Sequence, residues 1–226
     1  MLFEKYLKII DEKKDIFFHI SDTLWDDAEL SFEEYKAAEM LTDILEKEGF
    51  AVTRGVGGIP TSFTATFGSG EPHLGILAEY DALSGMSQVG CIAEKKSIPG
   101  LDAGHGCGHN LFAGGSVAAA FAVKAYIEAT GKGSITLFGC PAEEGGGGKV
   151  FMARDGIFDG IESVEGIAAH AGAAPHKGRS ALNAVELMNI GCNFLREHTE
   201  LTSRVHYAIL DTGGTAPNQV QSHAND

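Results

Sequence analysis

The stretch Ser134-Ile-Thr-Leu-Phe-Gly-Cys140, running straight into Pro141-Ala-Glu-Glu-Gly145, decides how this chain folds. Its uncharged residues read as a buried strand, and a buried strand belongs inside a sheet covered by helices. Glu143 and Glu144 then fall at the strand's carboxyl end, where sheets of this kind hold ligands. A second short apolar run, His73–Ala78, ends the same way in Glu79-Tyr80-Asp81. Between the two runs, Asn110–Thr130 is Ala-rich and predicts a strongly apolar helix.

Working outward, Ser62–Phe67 alternates like a half-buried strand, and a short helix is expected near 148–154. Leu7, Ile10, Phe17 and Ile20 recur at helical spacing and predict a helix over 3–20. A second helix is expected from Ser31, where Ser31 and Glu34 have the spacing of a capping box, to Gly49 as its stop. Residues 84–109 read as a loop. Strands alternating with helices predict an α/β fold with a mostly parallel sheet. After about residue 163 the texture changes: Val164–Ala171 and Val205–Leu210 are strand candidates around an amphipathic helix at Ser180–Glu197. Residues 1–163 and 164–226 are therefore read as two domains.

Composition narrows the function. With 31 acidic against 17 basic residues the net charge is −14, which argues against nucleic acid as partner, because phosphate binding needs clustered Lys and Arg. No apolar run is read as reaching the ~20 residues needed to cross a bilayer, so no membrane partner is expected. The N-terminus mixes charges into its apolar positions unlike a signal peptide, which makes the cytoplasm the expected location. Cys91, Cys107, Cys140 and Cys192 lack a disulfide-framework spacing and are expected to be free or metal-bound.

His105-Gly-Cys107-Gly-His109-Asn110 stands at a helix entrance. Thiolate and imidazole both ligate zinc-like ions, and the intervening glycines let two close side chains face one ion. A helix N-terminus is expected to lower the Cys107 thiol pKa. The alternative is a flexible turn with solvated histidines. For Glu143-Glu144, one carboxylate can ligate while its neighbour handles the proton of an activated water; the alternative is a solvated acidic turn. Glu79 and Asp81 read as a ligand, or as a support for an imidazole, or as a plain strand-end turn. His170 and Asn218 are weaker candidates, set against a structural histidine and an ordinary Gly-rich turn.

Six segments occur together: Glu29-Leu-Ser-Phe-Glu-Glu34, Ile76-Leu-Ala-Glu-Tyr-Asp-Ala-Leu83, Gly104-His-Gly-Cys-Gly-His-Asn110, Gly139-Cys-Pro-Ala-Glu-Glu-Gly145, Gly166-Ile-Ala-Ala-His-Ala171 and Gly213-Gly-Thr-Ala-Pro-Asn218. In content and order they resemble the metallo-amidohydrolase and peptidase family of aminoacylase and p-aminobenzoyl-glutamate hydrolase. The resemblance implies a three-layer αβα catalytic domain holding two divalent metal ions, zinc or manganese. It also implies an α+β lid domain that forms a homodimer. It gives Cys107, His109 and Glu144 as metal ligands, Glu143 as general base and Asp81 as the support of a ligand imidazole. His170 would stabilise the oxyanion, and Asn218 would bind a substrate carboxylate. Two further ligand histidines of the family have no counterpart here, so the chain reads as truncated and internally deleted. The implied activity is hydrolysis of an amide in N-acyl amino acid, aminobenzoyl-glutamate-like or dipeptide substrates. The rival expectations are an inactive remnant serving as an interaction protein, and a thiol hydrolase using Cys107 with His105 or His109.

Overall fold

Helix α1 (Glu4–Glu12) passes at Lys13 into α2 (Lys14–Asp26), so the helix expected over 3–20 is interrupted and runs six residues further. This computed structural model describes residues 4–161 together with the strands Ala169–His170 and Gln219–Val220. The chain divides into two units, Met1–Gly160 and Ile161–Asp226.

In the first unit follow α3 (Tyr35–Lys47), β1 (Ala51–Arg54), β2 (Phe63–Gly68), β3 (His73–Ala78), α4 (His109–Thr130), β4 (Ser134–Gly139) and α5 (Gly148–Arg154). The sheet order is β1-β2-β4-β3. All six residues of β4 are buried, as its uncharged sequence requires. The α/β class is as expected, and the sheet is mixed. β3 and β4 are parallel, joined by the long crossover that carries α4, whereas β1–β2 and β2–β4 are antiparallel. The physical reason at β1–β2 is reach: residues 55–62 make a short connection, and a parallel crossover needs a dozen residues or more.

One face of the sheet presents Phe63, Ala65, Leu74, Ile76, Ile135 and Leu137 to the main core. Against it lie Leu41 and Leu45 of α3 and Ala113, Val117, Ala120 and Phe121 of α4, and Ile20 and Leu24 of α2, which packs on α4, complete the same core. The alanines of α4 let its backbone come close, and Ser116 Oγ donates to the Leu77 carbonyl at 2.7 Å. Each large aliphatic side chain buried there contributes about 1.5–3 kcal/mol. On the opposite face Thr66 and Thr136 share a hydrogen bond, and Phe158 packs on Phe138 with ring centroids 5.0 Å apart. At 22 residues α4 is long and apolar enough to cross a bilayer, contrary to the sequence expectation, but half of its most apolar window is buried inside the protein.

The expected capping box is absent. Tyr35 is the first helical residue of α3, Ser31 Oγ donates to Asp81, and the Glu34 side chain caps nothing in its own helix. Glu29 does that work instead, its carboxylate accepting the N–H groups of Lys36 at 3.2 Å and Ala37 at 2.9 Å. At the other end Gly49 is the stop, with φ +86, and the Phe50 N–H closes onto the Leu45 carbonyl at 3.0 Å. Among the described residues Cys91, Cys107 and Cys140 are free thiols.

In the second unit β5 (Ala169–His170) pairs antiparallel with β6 (Gln219–Val220). The expected helix at 180–197 and strand at 205–210 lie outside the described residues, as does Cys192.

Candidate metal centre

Strands β3 and β4 end side by side, Ala78 opposite Gly139, so the two acidic segments that follow them are brought together. Between them the first turn of α4 inserts His109, which is buried. The left-handed Gly108, φ +84, lets the chain turn from the Cys107 loop into that helix.

His109 is gripped on one side. Its Nδ1 lies 2.9 Å from the Asp81 carbonyl oxygen and 3.1 Å from Asp81 Oδ1. Both are acceptors, so Nδ1 carries a proton and Nε2 faces away from them. Nε2 points at three carboxylates: Glu79 Oε2 at 3.1 Å, Glu143 Oε2 at 3.8 Å and Glu144 Oε1 at 3.8 Å. Burial alone would lower the His109 pKa, but Asp81 and Glu79 outweigh it and carry it up to about 11. Asp81 in turn accepts the Glu144 N–H at 2.9 Å and Ser31 Oγ at 2.9 Å on Oδ2. Burial works against its charge, yet these bonds and His109 hold its carboxyl below the ordinary value.

Cys107 Sγ, a His109 ring nitrogen and a Glu144 oxygen lie within 4.8 Å of one another, and so do donor atoms of Glu79, His109 and Glu143. Glu144 Oε1 is buried without a hydrogen-bond partner among the described residues. The Glu143 carboxyl is pushed up, first by burial and then by the Glu79 charge. Glu79 also pairs with Lys149 of α5 through Oε1. Four carboxylates thus surround one imidazole and one lysine, so two negative charges remain even when both bases are protonated. An orphaned acceptor, a sulfur–nitrogen–oxygen donor set and this surplus charge fit a divalent cation.

The Cys107 thiol is exposed, and its pKa is raised rather than lowered as the helix entrance suggested. Glu144 is the first cause, and it comes from a segment far away in sequence. His105 is only 4% exposed, and neither ring nitrogen has a hydrogen-bond partner among the described residues. Burial, with His109 beside it, pushes its pKa down to about 4; the backbone at Leu24 pulls the other way without completing a hydrogen bond. His105 is thus a feeble base and the Cys107 thiol is raised, which counts against a nucleophilic pair of Cys107 with His105.

Of the residues singled out from sequence, Asp81, Cys107, His109, Glu143 and Glu144 come together, with Glu79 among them. His170 lies on β5, and its side chain is outside the described residues, as is Asn218. Lys149, Ser31 and Glu34 were missed as contributors. Lys149 reaches the site only through a tertiary contact, and the Ser31 and Glu34 pattern was read as a helix cap.

The sequence profile of Peptidase family M20/M25/M40 matches residues 76–221. A p-aminobenzoyl-glutamate hydrolase chain of Escherichia coli (strain K12) is 45% identical, with 95% of this chain and 50% of that protein aligned. Xaa-Arg dipeptidase of Mus musculus is 32% identical, over 95% of this chain and 54% of that protein. This chain therefore spans about half the length of these relatives. Among solved structures, the Bacillus subtilis YXEP protein, described as a dinuclear metal binding peptidase from the M20 family, superposes with a TM-score of 0.55. That match has 22% identity and covers 66% of this chain and 42% of the other, a likeness of fold. The chain belongs to peptidase family M20/M25/M40.

Proposed function

We propose that this chain carries the metal-binding half of an amidohydrolase site, with Cys107, His109 and Glu144 holding a divalent ion, zinc or manganese, in a two-metal centre. The observation that carries the reading is the His109 tautomer: Asp81 occupies Nδ1, and Nε2 is left facing Glu79, Glu143 and Glu144. When bound there, a divalent ion would supply Lewis acidity to a water and to the carbonyl of the amide under attack. Glu143 would take the proton of the attacking water on its carboxylate and return it to the leaving nitrogen. Asp81 holds the ring of His109 in place throughout.

The substrate class is an amide of an amino acid: an N-acyl amino acid, an aminobenzoyl-glutamate-like compound or a dipeptide. The names of the Escherichia coli and Mus musculus relatives support it. Residues from 164 onward would form part of a lid through which two copies pair. There His170 would stabilise the oxyanion, and Asn218 would bind the carboxylate. The test is hydrolysis of aminobenzoyl-glutamate and a panel of N-acyl amino acids by zinc- or manganese-loaded protein, beside Glu143→Gln. Metal-dependent turnover lost in the variant supports the reading. Turnover that survives chelation but stops on thiol alkylation overturns it in favour of Cys107 as nucleophile.

A further inference from the structure

The loop bearing Glu143 and Glu144 is fastened on one side by Glu34 and on the other by Asp81, whose carboxylate also accepts Ser31 Oγ. Ala142, immediately before the acidic pair, has φ +56, in the left-handed region that costs a non-glycine residue about 1–2 kcal/mol. Its N–H donates to Glu34 Oε1 at 2.8 Å, and its carbonyl accepts the N–H groups of Gly146 at 3.1 Å and Gly148 at 3.3 Å. On the other side, the Glu144 N–H is held by the Asp81 oxygen that Ser31 also approaches.

Glu34 is 0% exposed and has no salt bridge among the described residues. Oε1 accepts a second bond from the Phe32 N–H at 2.9 Å, and Oε2 accepts Thr61 Oγ1 at 2.8 Å. The Tyr80 hydroxyl donates to the Thr61 carbonyl at 2.6 Å, so the residue leading into Asp81 joins the same network. A carboxylate buried without a cation is costly, and an apolar side chain would have filled the space more cheaply. What an apolar residue cannot do is accept the Ala142 N–H. Left-handed strain at a non-glycine residue persists only where its surroundings over-determine it, and here Glu34 supplies the decisive bond.

We propose that Glu34 is a positioning residue of the metal centre: it locks Ala142 in its left-handed conformation and so aims Glu143 and Glu144 at His109. The proposal rests on the reading of Glu144 as a ligand and Glu143 as the base. Glu34 itself touches neither metal nor substrate.

The experiment compares wild type, Glu34→Gln and Glu34→Asp by zinc titration against a chromogenic chelator, and by hydrogen exchange of the metal-free chains. Gln keeps an oxygen for both N–H donors, whereas Asp withdraws the carboxylate by ~1.5 Å, one bond length. Zinc affinity is expected to stay within about 3-fold of wild type in the Gln chain and to fall about 10-fold or more in the Asp chain. Exchange in 141–148 is expected to be slow in wild type and Gln and fast in Asp, with α4 protected in all three. An Asp chain that binds zinc like wild type, or keeps 141–148 slow, overturns the proposal, and so does equal loss in Gln and Asp. If wild type binds no zinc, the metal reading fails and the exchange comparison alone decides the role of Glu34. If the Asp chain does not fold, slow exchange over 141–148 in the Gln chain supports the proposal, and fast exchange there with α4 intact overturns it.

Discussion

Asp81 grips His109 twice through Nδ1, with its carbonyl oxygen at 2.9 Å and its carboxylate at 3.1 Å, and so dictates which ring nitrogen is offered to the site. The other carboxylate oxygen takes the Glu144 N–H, so one side chain orients an imidazole from α4 and a carboxylate from the loop after β4. Replacing it by asparagine keeps the shape but turns an NH2 group toward either the Glu144 N–H or the His109 Nδ1–H. Asp81→Asn is expected to weaken zinc binding about 10- to 100-fold while leaving the chain folded. Chelator competition measures the first and circular dichroism the second; unchanged affinity would remove Asp81 from the account.

Lys149 neutralises Glu79 beside the same imidazole. Lys149→Met removes a positive charge a few ångströms from where a divalent ion would sit, and is expected to tighten zinc binding about 3- to 10-fold at low salt. Glu79→Gln should shift affinity the opposite way. A calorimetric titration of both variants reads the signs, and weaker binding in Lys149→Met would mean that Lys149 matters by placing Glu79 rather than by its charge.

The pH response of Glu34 has a definite sign. Burial raises its carboxyl above 4.5, against hydrogen bonds that pull it down. The folded chain therefore holds that proton more tightly than the unfolded chain. Its contribution to stability falls as pH rises from the unfolded value through the folded one. Glu34→Gln does not titrate, so urea unfolding should show the Gln chain gaining on wild type over the pH window that opens at the ordinary carboxyl value. A constant difference across that window would show that the carboxyl pKa is the same in both states.

Much of this was legible in the sequence, and the misses have physical causes. β3, β4 and α4 were readable because their apolar runs are dictated by burial on a sheet that the site crowns. β1 was missed because Ala51–Arg54 is short, lies at the edge of the sheet and is mostly exposed, so no alternation marks it. Ser31 and Glu34 carry the spacing of a helix cap, yet tertiary partners 50 and 108 positions away win both side chains. The direction of the Cys107 shift failed likewise. The helix entrance was visible in sequence, but the Glu144 carboxylate that outweighs it arrives from the loop after β4.

Leu137 tests the fold apart from the site. It is fully buried in β4, between β2 and β3 and under the helices of the main core. Leu137→Ala should cost about 2–5 kcal/mol in urea unfolding. A loss under about 1 kcal/mol would mean that this core face is not packed as described.

The most direct test of the central claim is metal stoichiometry. Chelator-treated protein is reloaded with zinc or manganese, and its metal content is measured by mass spectrometry beside a Cys107→Ser, Glu144→Ala double variant. Near-stoichiometric metal is expected in wild type and none in the double variant, with both chains folded. Wild type without metal, or equal metal in both, would contradict the assignment of Cys107, His109 and Glu144 as a metal centre.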